Sequence, residues 1–153
     1  MTQTPVHLDT SFLIRALRAG TRQDKLLRGL LEAGRELSMS SIAWAEFLCG
    51  PLDDRQLAMA RRITSELVPF TAKDAALSAE LFNESGRRRS SLTDCMIAAT
   101  ALRCNARLAT ANHVDFERLR VALVVERYRA EEGPDRRRSP LTRPIRTMVG
   151  SSS

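Results

Sequence analysis

Hydrophobic positions along this 153-residue chain recur with two different spacings, and these predict two kinds of element. Val6 and Leu8 are two residues apart, as on one face of a β-strand. Phe12, Leu13 and Leu17 then follow at helical intervals. The same change of spacing recurs along the chain. The predicted order is strand 5–10, helix 11–20, helix 24–34, strand 36–41, helix 41–51, helix 53–66, strand 67–70, helix 72–85, helix 94–104, strand 107–110, a turn at 115–116 and strand 121–126.

Strands that take turns with helices favour right-handed β-α-β crossovers. They therefore predict an α/β fold with a mostly parallel central sheet flanked by helices. The pattern ends at Gly133, where a segment with three prolines, five arginines and a serine end begins. We expect one folded domain over residues 1–132 and a flexible Arg/Pro/Ser-rich tail over residues 133–153.

Composition narrows the class of protein. The hydrophobic fraction of 43% and charged fraction of 27% are typical of a globular domain. No apolar run approaches the ~20 residues of a membrane span, and the N-terminus does not resemble a secretion signal. We therefore expect a cytoplasmic protein without a membrane contact. Cys49, Cys95 and Cys104 lack metal-type spacing and are expected to be small core side chains in a reducing compartment.

Positive charge is distributed unevenly. The formal net charge is +6, and residues 133–153 contain five arginines against one aspartate, so +4 of it lies there. The remainder carries only +2. The sign fits a polyanionic partner, although the body of the chain is too mildly basic to identify one.

Four carboxylates lie at the edges of apolar segments: Asp9, Glu46, Asp94 and Asp115. Two follow predicted strands, one lies within a helix and one starts a helix. Open α/β sheets build their sites at such positions. Acids that converge repel one another, so a hard divalent cation would be needed to hold them together.

Taken singly, each acid also has a structural explanation. Asp9 could cap the following helix, and Asp94 could complete a capping box with Ser91. Glu46 could face solvent or form an ordinary ion pair, and Asp115 could stabilise a turn. The residues leave these alternatives open, and the order in which the four acids occur is the argument for a shared site.

Other chemistry is less well supported. His7 is expected to be structural within the first strand, and His113 to lie in an exposed turn. No Ser-His-Asp, Cys-His or phosphate-loop arrangement is present. The run Arg87, Arg88 and Arg89 precedes Asp94, and it is either a solvated loop or a clamp for RNA phosphates.

Four segments together resemble the PIN-domain ribonucleases, and among them the VapC toxins of bacterial toxin–antitoxin pairs. They are VHLDTSFLI, AWAEFLCG, SLTDCMIAATAL and LATANHVDF, and the resemblance covers about residues 6–125. It implies a PIN-like sheet with a catalytic set of Asp9, Glu46, Asp94 and Asp115. Thr10, Ser11, Thr110 and Asn112 are implied as polar neighbours. The arginine-rich tail departs from the family pattern.

The resemblance implies an endoribonuclease that uses Mg²⁺ or Mn²⁺, with these four acids as its metal-binding set. Because Mg²⁺ keeps several waters, we expect Asp9, Asp94 and Asp115 as direct ligands, with Glu46 either binding through water or orienting the nucleophile. The implied substrate is RNA, such as tRNA or ribosomal RNA, and the implied partners are a VapB-like antitoxin and a second copy of the chain. The alternatives are a housekeeping RNA-processing PIN nuclease, a phosphatase with Asp9 as nucleophile, and a non-enzymatic domain that binds RNA or a protein partner.

Overall fold

A computed structural model describes residues 3–87 and 92–124 of the chain. The predicted tail at 133–153 and the predicted domain end at 132 lie outside these residues. Within them, strands and helices take turns as the sequence pattern indicates. The elements are β1 (Val6–Leu8), α1 (Thr10–Ala16), α2 (Arg22–Glu32), β2 (Leu37–Ser40), α3 (Ser41–Leu48), α4 (Asp54–Ile63), β3 (Glu66–Val68), α5 (Ala72–Glu84), α6 (Leu92–Arg103), β4 (Arg107–Ala109) and α7 (His113–Phe116).

The sheet has four strands in the order β3-β2-β1-β4, and every pairing is parallel. This confirms the predicted α/β class. β1 is central, with His7 opposite Ser38 on one side and Leu108 on the other. Because the strands are parallel, the residues that follow β1 and β4, Asp9 and Thr110, come together at one edge of the sheet. The backbone N–H of Asp9 donates to the Ala109 carbonyl there, at 2.9 Å.

The segment Val121–Val124 runs alongside β4. Leu123 forms a parallel bridge with Leu108, and the Val124 N–H donates to the Leu108 carbonyl at 2.9 Å. The predicted strand at 121–126 is thus a single bridge in its described part, while Val125 and Glu126 lie outside it. A parallel bridge means that the chain leaves this part heading for the edge that carries Asp9.

α6 is the buried helix of the domain. It is apolar on nearly every face, which is typical of a helix covered on all sides. The sequence predicted this burial. Its fully buried side chains are Cys95, Ile97, Ala98, Ala99, Thr100 and Ala101. The small side chains on α6 allow close packing against the sheet and against α5, its main neighbouring helix.

A buried ion pair joins α5 to the last turn of α6. Asp74 is fully buried, and Arg103 Nε lies 2.6 Å from Asp74 Oδ1. Arg103 also donates to Asp74 Oδ2 at 3.1 Å and to the Pro69 carbonyl at 2.9 Å, and Asp74 forms a capping box with Thr71. Burial acts to raise the pKa of Asp74, but these hydrogen bonds outweigh it and the pKa is lowered.

His7 lies in the electrostatic field of this pair. Burial is the main cause that lowers the pKa of His7 to about 4, and the charge of Arg103 reinforces the effect. Its Nδ1 is buried without a hydrogen-bond partner. The neutral imidazole is therefore a structural side chain of β1, as the sequence suggested.

Several boundaries differ from the prediction. The helix expected over 53–66 ends at Ile63, because Thr64 is extended and Ser65 already bonds to β2 through the Leu37 carbonyl. β3 consequently begins at Glu66 and ends at Val68, ahead of Pro69. The expected turn at 115–116 is the end of the short helix α7. The other long helices begin up to two residues before their predicted starts and end one to four residues before their predicted ends. Asn105 adopts the expected left-handed conformation, with φ of 50°.

The cysteine prediction is partly wrong. Cys95 belongs to the core and Cys104 packs against it, but Cys49 is exposed because it caps the end of α3 beyond the last buried position. No disulfide joins any two of the three cysteines. Among the helices of the described residues, none has both the length and the apolar character needed to cross a membrane.

Candidate active site

Asp9 occupies the junction between β1 and α1. It stands at the position that precedes the first helical residue, yet its side chain does not cap the helix. The carboxylate is instead bound by hydroxyl groups from two elements. Ser11 Oγ lies 2.5 Å from Asp9 Oδ2, and Thr110 Oγ1, just past β4, donates to the same oxygen at 2.8 Å. The capping explanation for Asp9 therefore does not hold.

Backbone N–H donors indicate which way the two hydroxyl groups of this network donate. The backbone N–H of Ala111 donates to Ser11 Oγ at 3.1 Å, and that of Asn112 donates to Thr110 Oγ1 at 3.0 Å. Each hydroxyl thus accepts from the backbone and has its own proton available for Asp9 Oδ2. Burial raises the pKa of Asp9, and the hydrogen bonds from Ser11 and Thr110 act against that rise. They favour the carboxylate form of a side chain that is only 3% exposed.

Glu46 projects from α3 and is an exposed residue. Its Oε2 lies 3.0 Å from Thr10 Oγ1, and the same hydroxyl lies 2.9 Å from the Ala43 carbonyl. One hydroxyl carries one proton, so the two acceptors compete for it. Thr10 is buried and belongs to α1. Its contact with Glu46 therefore ties α3 to the segment that carries Asp9.

Asp94 is the third residue of α6, where the helix dipole favours negative charge. Its pKa is nevertheless raised to about 7. The largest cause is burial, followed by repulsion from Asp9, Asp115 and Glu46 in that order. Asp9, Asp115 and Glu46, which stand apart in the sequence, thus lie within electrostatic range of Asp94.

Asp115 lies in α7, which is anchored by the buried side chain of Phe116. The carboxylate is exposed, and only its backbone segment is held. Asn112 precedes α7, makes no side-chain cap and has an exposed side chain, so its link to the site is the backbone N–H given to Thr110. Asp115 is the least constrained of the four acids.

The chemistry of this donor set fits a hard divalent cation, because every donor is an oxygen and because burial, and then the charge of the other three acids, raises the pKa of Asp94. Within residues 3–87 and 92–124, however, no group of three or more His, Cys, Asp and Glu side chains is spaced to hold one ion. Mg²⁺ keeps several waters and needs only one or two carboxylates. The assignment of Asp9, Asp94 and Asp115 as three direct ligands stays a prediction.

Of the arginines predicted to contact RNA, only Arg87 falls in the described ranges. It is exposed, has φ of 57°, and its Nε donates to Asn83 Oδ1 at 3.1 Å. Arg88 and Arg89 lie outside the described residues. A separate cavity of about 160 Å³ contains none of the four acids and is lined by Trp44, Arg61, Thr64, Ser65, Glu66 and Leu67.

Sequence reasoning named Thr10, Ser11 and Thr110 as neighbours of the site without dividing their roles. The structure separates them: Ser11 and Thr110 bind Asp9, while Thr10 binds Glu46. The neighbouring positions of Asp9, Thr10 and Ser11 indicate a polar junction. No signal in the sequence links Thr10 to a carboxylate 36 residues away.

Comparison with known proteins identifies the fold that carries these residues. Residues 6–122 match the family described as PIN domain. A toxin–antitoxin complex from Klebsiella pneumoniae is similar, with 29% identity and a TM-score of 0.57 over 72% of this chain and 89% of that one. No curated protein sequence matches the chain.

Two further structures share the fold at lower identity. VapBC2 from Rickettsia felis, bound to a DNA fragment from its promoter, is 22% identical with a TM-score of 0.64, over 78% of this chain and 97% of that one. FitAcB from Neisseria gonorrhoeae is 23% identical with a TM-score of 0.61, over 77% and 95%. The PIN fold expected from the four sequence segments is confirmed.

Proposed function

Because the chain belongs to the PIN-domain family, we propose that it is a metal-dependent endoribonuclease that acts as the toxin of a VapBC-type pair. PIN domains are generally nucleases, which gives the reaction class. The single observation that carries the proposal is the raised pKa of Asp94, caused by burial and by the other three acids. A protein that used these acids only as helix caps would have no reason to gather them.

The residues of the site have distinct tasks in this proposal. Ser11 and Thr110 hold Asp9 by one oxygen and oppose the rise of its pKa that burial causes. Thr10 orients Glu46 toward the same region, where it can direct a water molecule at the phosphate. Asp9, Asp94 and Asp115 would hold Mg²⁺ or Mn²⁺. The bound ion would supply an acidified water and stabilise charge on the phosphate.

The partners follow from the relatives. The similar structures from Klebsiella pneumoniae and Rickettsia felis are toxin–antitoxin complexes, which supports a VapB-like antitoxin for this chain. We propose RNA as substrate, cleaved where unpaired nucleotides are splayed out, in tRNA or ribosomal RNA. A homodimer is proposed as the assembly. A PIN nuclease of RNA processing is the second candidate, and the presence or absence of a small neighbouring antitoxin gene separates the two.

The test is the substitution Asp9→Asn in protein purified away from its partner. Cleavage of total RNA in Mg²⁺ should fall by more than about 100-fold, because loss of even an outer partner of a metal ligand costs 10- to 100-fold. Asp54→Asn is the matched control: it removes an exposed carboxylate from the first turn of α4 and should leave cleavage unchanged.

Full activity in Asp9→Asn would remove Asp9 from the mechanism. Wild-type protein that cleaves no RNA, ignores EDTA and binds no Mn²⁺ in calorimetry would instead favour a non-enzymatic binding domain. A trapped phospho-aspartate at Asp9 would favour the phosphatase alternative. That alternative normally needs a second acid at position 11, where this chain has Ser11, already bonded to Asp9.

A further inference from the structure

One face of α1 leads away from the acids. The helix begins at Thr10, directly after Asp9. Ser11 bonds to Asp9 Oδ2 and lies 3.3 Å from Thr110 Oγ1, so its side chain identifies the face of α1 that is turned toward the site. Residues three, four and seven positions further along a helix share that face. In this chain they are Ile14, Arg15 and Arg18.

This face is exposed and basic. The opposite side of α1 is buried, whereas Arg15 and Arg18 are both exposed. Arg18 follows the last helical residue, but its N–H donates to the Arg15 carbonyl at 3.1 Å. Side chains three residues apart in such a tight turn eclipse one another, so Arg18 stays on the side of Arg15. The Cα atoms of the two arginines lie about 6 and 11 Å beyond that of Ser11 along the helix axis.

No acid of the described residues neutralises these two cations. Residues 10–23 contain three arginines and neither Asp nor Glu. The next acid, Asp24, is engaged by the Gly20 N–H at 2.9 Å and by Arg28 Nε at 2.9 Å. Within 3–87 and 92–124, no carboxylate forms an ion pair with Arg15 or Arg18. Both guanidinium groups are therefore available to an anionic ligand.

The direction of a helical side chain brings this charge toward the site. Cα–Cβ bonds tilt toward the N-terminus of their helix, and the N-terminus of α1 is the end next to Asp9. The site itself contributes four acids. An RNA strand that approaches them meets negative charge, so the phosphates next to the one at the acids need cations from elsewhere.

The helix dipole offers a structural explanation for one of the two arginines. Arg15 lies in the last turn of α1, where a cation is favourable. The dipole does not require that both arginines share the face of Ser11. It also predicts an effect on stability alone, which an experiment can separate from an effect on RNA binding.

We propose that Arg15 and Arg18 form a phosphate-binding stripe for single-stranded RNA, which holds the backbone of the strand beside the nucleotide at the acids. This inference rests on RNA being the substrate. Arginine presents a planar fork of donors that fits phosphate oxygens in pairs. Because the contacts are to the backbone, the stripe adds affinity at any sequence and leaves target choice to the rest of the protein.

The test measures RNA binding without cleavage. The full-length double variant Arg15→Gln, Arg18→Gln is titrated into a fluorescein-labelled single-stranded polyuridine oligonucleotide in EDTA, over a series of salt concentrations. Affinity near 0.1 M salt should fall about tenfold, and the slope of log affinity against log salt should become shallower by about 1.4, since each phosphate contact to a single strand contributes about 0.7.

Two control variants separate the position of the charge from its amount. The double Arg→Lys variant at positions 15 and 18 keeps the charge and should recover most of the salt dependence. The variant Arg61→Gln, Arg62→Gln removes two exposed charges from the end of α4 and should cost clearly less affinity. These arginines come shortly before β3, toward the edge where the parallel strands begin and opposite the acids.

Three results would overturn the inference. Equal losses in the two Gln variants would mean that only net charge matters. A lower Tm with unchanged RNA affinity in Arg15→Gln, Arg18→Gln would leave the arginines as a support for the helix dipole, or as a contact for a protein partner. Wild-type protein without measurable affinity for the strand would leave nothing for the stripe to bind.

Cleavage in Mg²⁺ gives a second readout. The Gln variant at 15 and 18 should raise the KM for RNA about tenfold and change kcat little, because flanking phosphates are held equally in the ground state and the transition state. A lower kcat with unchanged KM would contradict the stripe. Since the binding assay contains EDTA, a protein that binds RNA through the stripe and cleaves none would refute the proposed activity and leave this inference standing.

Discussion

Single hydroxyl groups determine how the acids of this site are held. Asp9 Oδ2 accepts from the hydroxyl groups of Ser11 and Thr110, and each hydroxyl accepts in turn from a backbone N–H. Glu46 shares the one proton of Thr10 with a carbonyl. The pKa of Asp94 is raised by burial and by repulsion from the other three acids, and no hydrogen bond offsets the rise. Ionisation of Asp94 in the folded protein therefore costs free energy.

Asp94→Asn should therefore stabilise the metal-free protein at high pH. The folded pKa of about 7 exceeds the ordinary 3.8, so the folded state binds the extra proton. The stability that this proton contributes is present below pH 3.8 and is lost as the pH rises through 7. Asn at position 94 does not titrate, so the variant does not lose stability in this way. In EDTA, urea denaturation should show the variant more stable by about 2 to 4 kcal/mol at pH 8.

At pH 4 the difference between the two proteins should be small, because Asp94 is then neutral in the folded wild type and only partly ionised in the unfolded wild type. A difference that stays constant from pH 4 to pH 8 would contradict the argument. It would mean that neither burial nor repulsion from the other three acids raises the pKa of Asp94 in the folded protein.

At the scale of elements, the position of α6 matters most, because its first turn holds Asp94 and its last turn holds Arg103. The pair of Arg103 with buried Asp74 fixes that last turn against α5. A buried pair is costly to break on one side, because the remaining charge loses its partner. This ion pair lies at the opposite end of α6 from Asp94.

Asp74→Asn should lower the unfolding free energy by about 2 to 4 kcal/mol, since Arg103 keeps partial access to solvent while Asp74 has none. Arg28→Ala is the control. It breaks the pair with Asp24, in which the Arg28 side chain is 69% exposed, and should cost no more than about 0.5 kcal/mol. Similar losses of unfolding free energy in both variants, measured by urea denaturation, would show that the buried Asp74–Arg103 pair contributes no more to stability than an exposed ion pair.

The sequence predicted those elements whose identity is local. The nearly continuous apolar run of α6 was enough to predict its burial, and the order of strands and helices was enough for the parallel sheet. The end of α4 was not predictable in this way. Ser65 leaves the helical pattern because it bonds to Leu37 on β2, a partner 28 residues away. Helical spacing alone continues past that point.

The site shows the same division. Asp9, Asp94 and Thr110 could be named from the sequence because they lie at the ends of β1 and β4 and at the start of α6. Strand ends and helix starts can be inferred from local sequence. The contact of Thr10 with Glu46 depends on how α1 packs against α3. Only the folded chain determines that packing.

At the scale of the whole molecule, binding of a divalent ion at the four acids should raise the free energy of unfolding. An ion that binds only the folded state at 100 times its dissociation constant contributes about 2.7 kcal/mol. For a chain of this length we expect Mg²⁺ or Mn²⁺ to raise Tm by about 5 to 10 °C in differential scanning calorimetry. Asp9→Asn should abolish most of the rise.

Potassium chloride at matched ionic strength is the control for general screening of charge. An equal rise in Tm with potassium would point to screening of the four acids and not to a bound divalent ion. No rise with either salt would contradict a metal site in the folded protein.

The outer edge of β3 has a consequence for behaviour at high concentration. Open sheet edges invite strands from neighbouring molecules, but this one is three residues long and is followed by Pro69, which has no amide proton. The Pro69 carbonyl is already taken by Arg103. An incoming chain would find too short a ladder to continue, so crowding alone gives this protein little route to fibrous aggregates through that side.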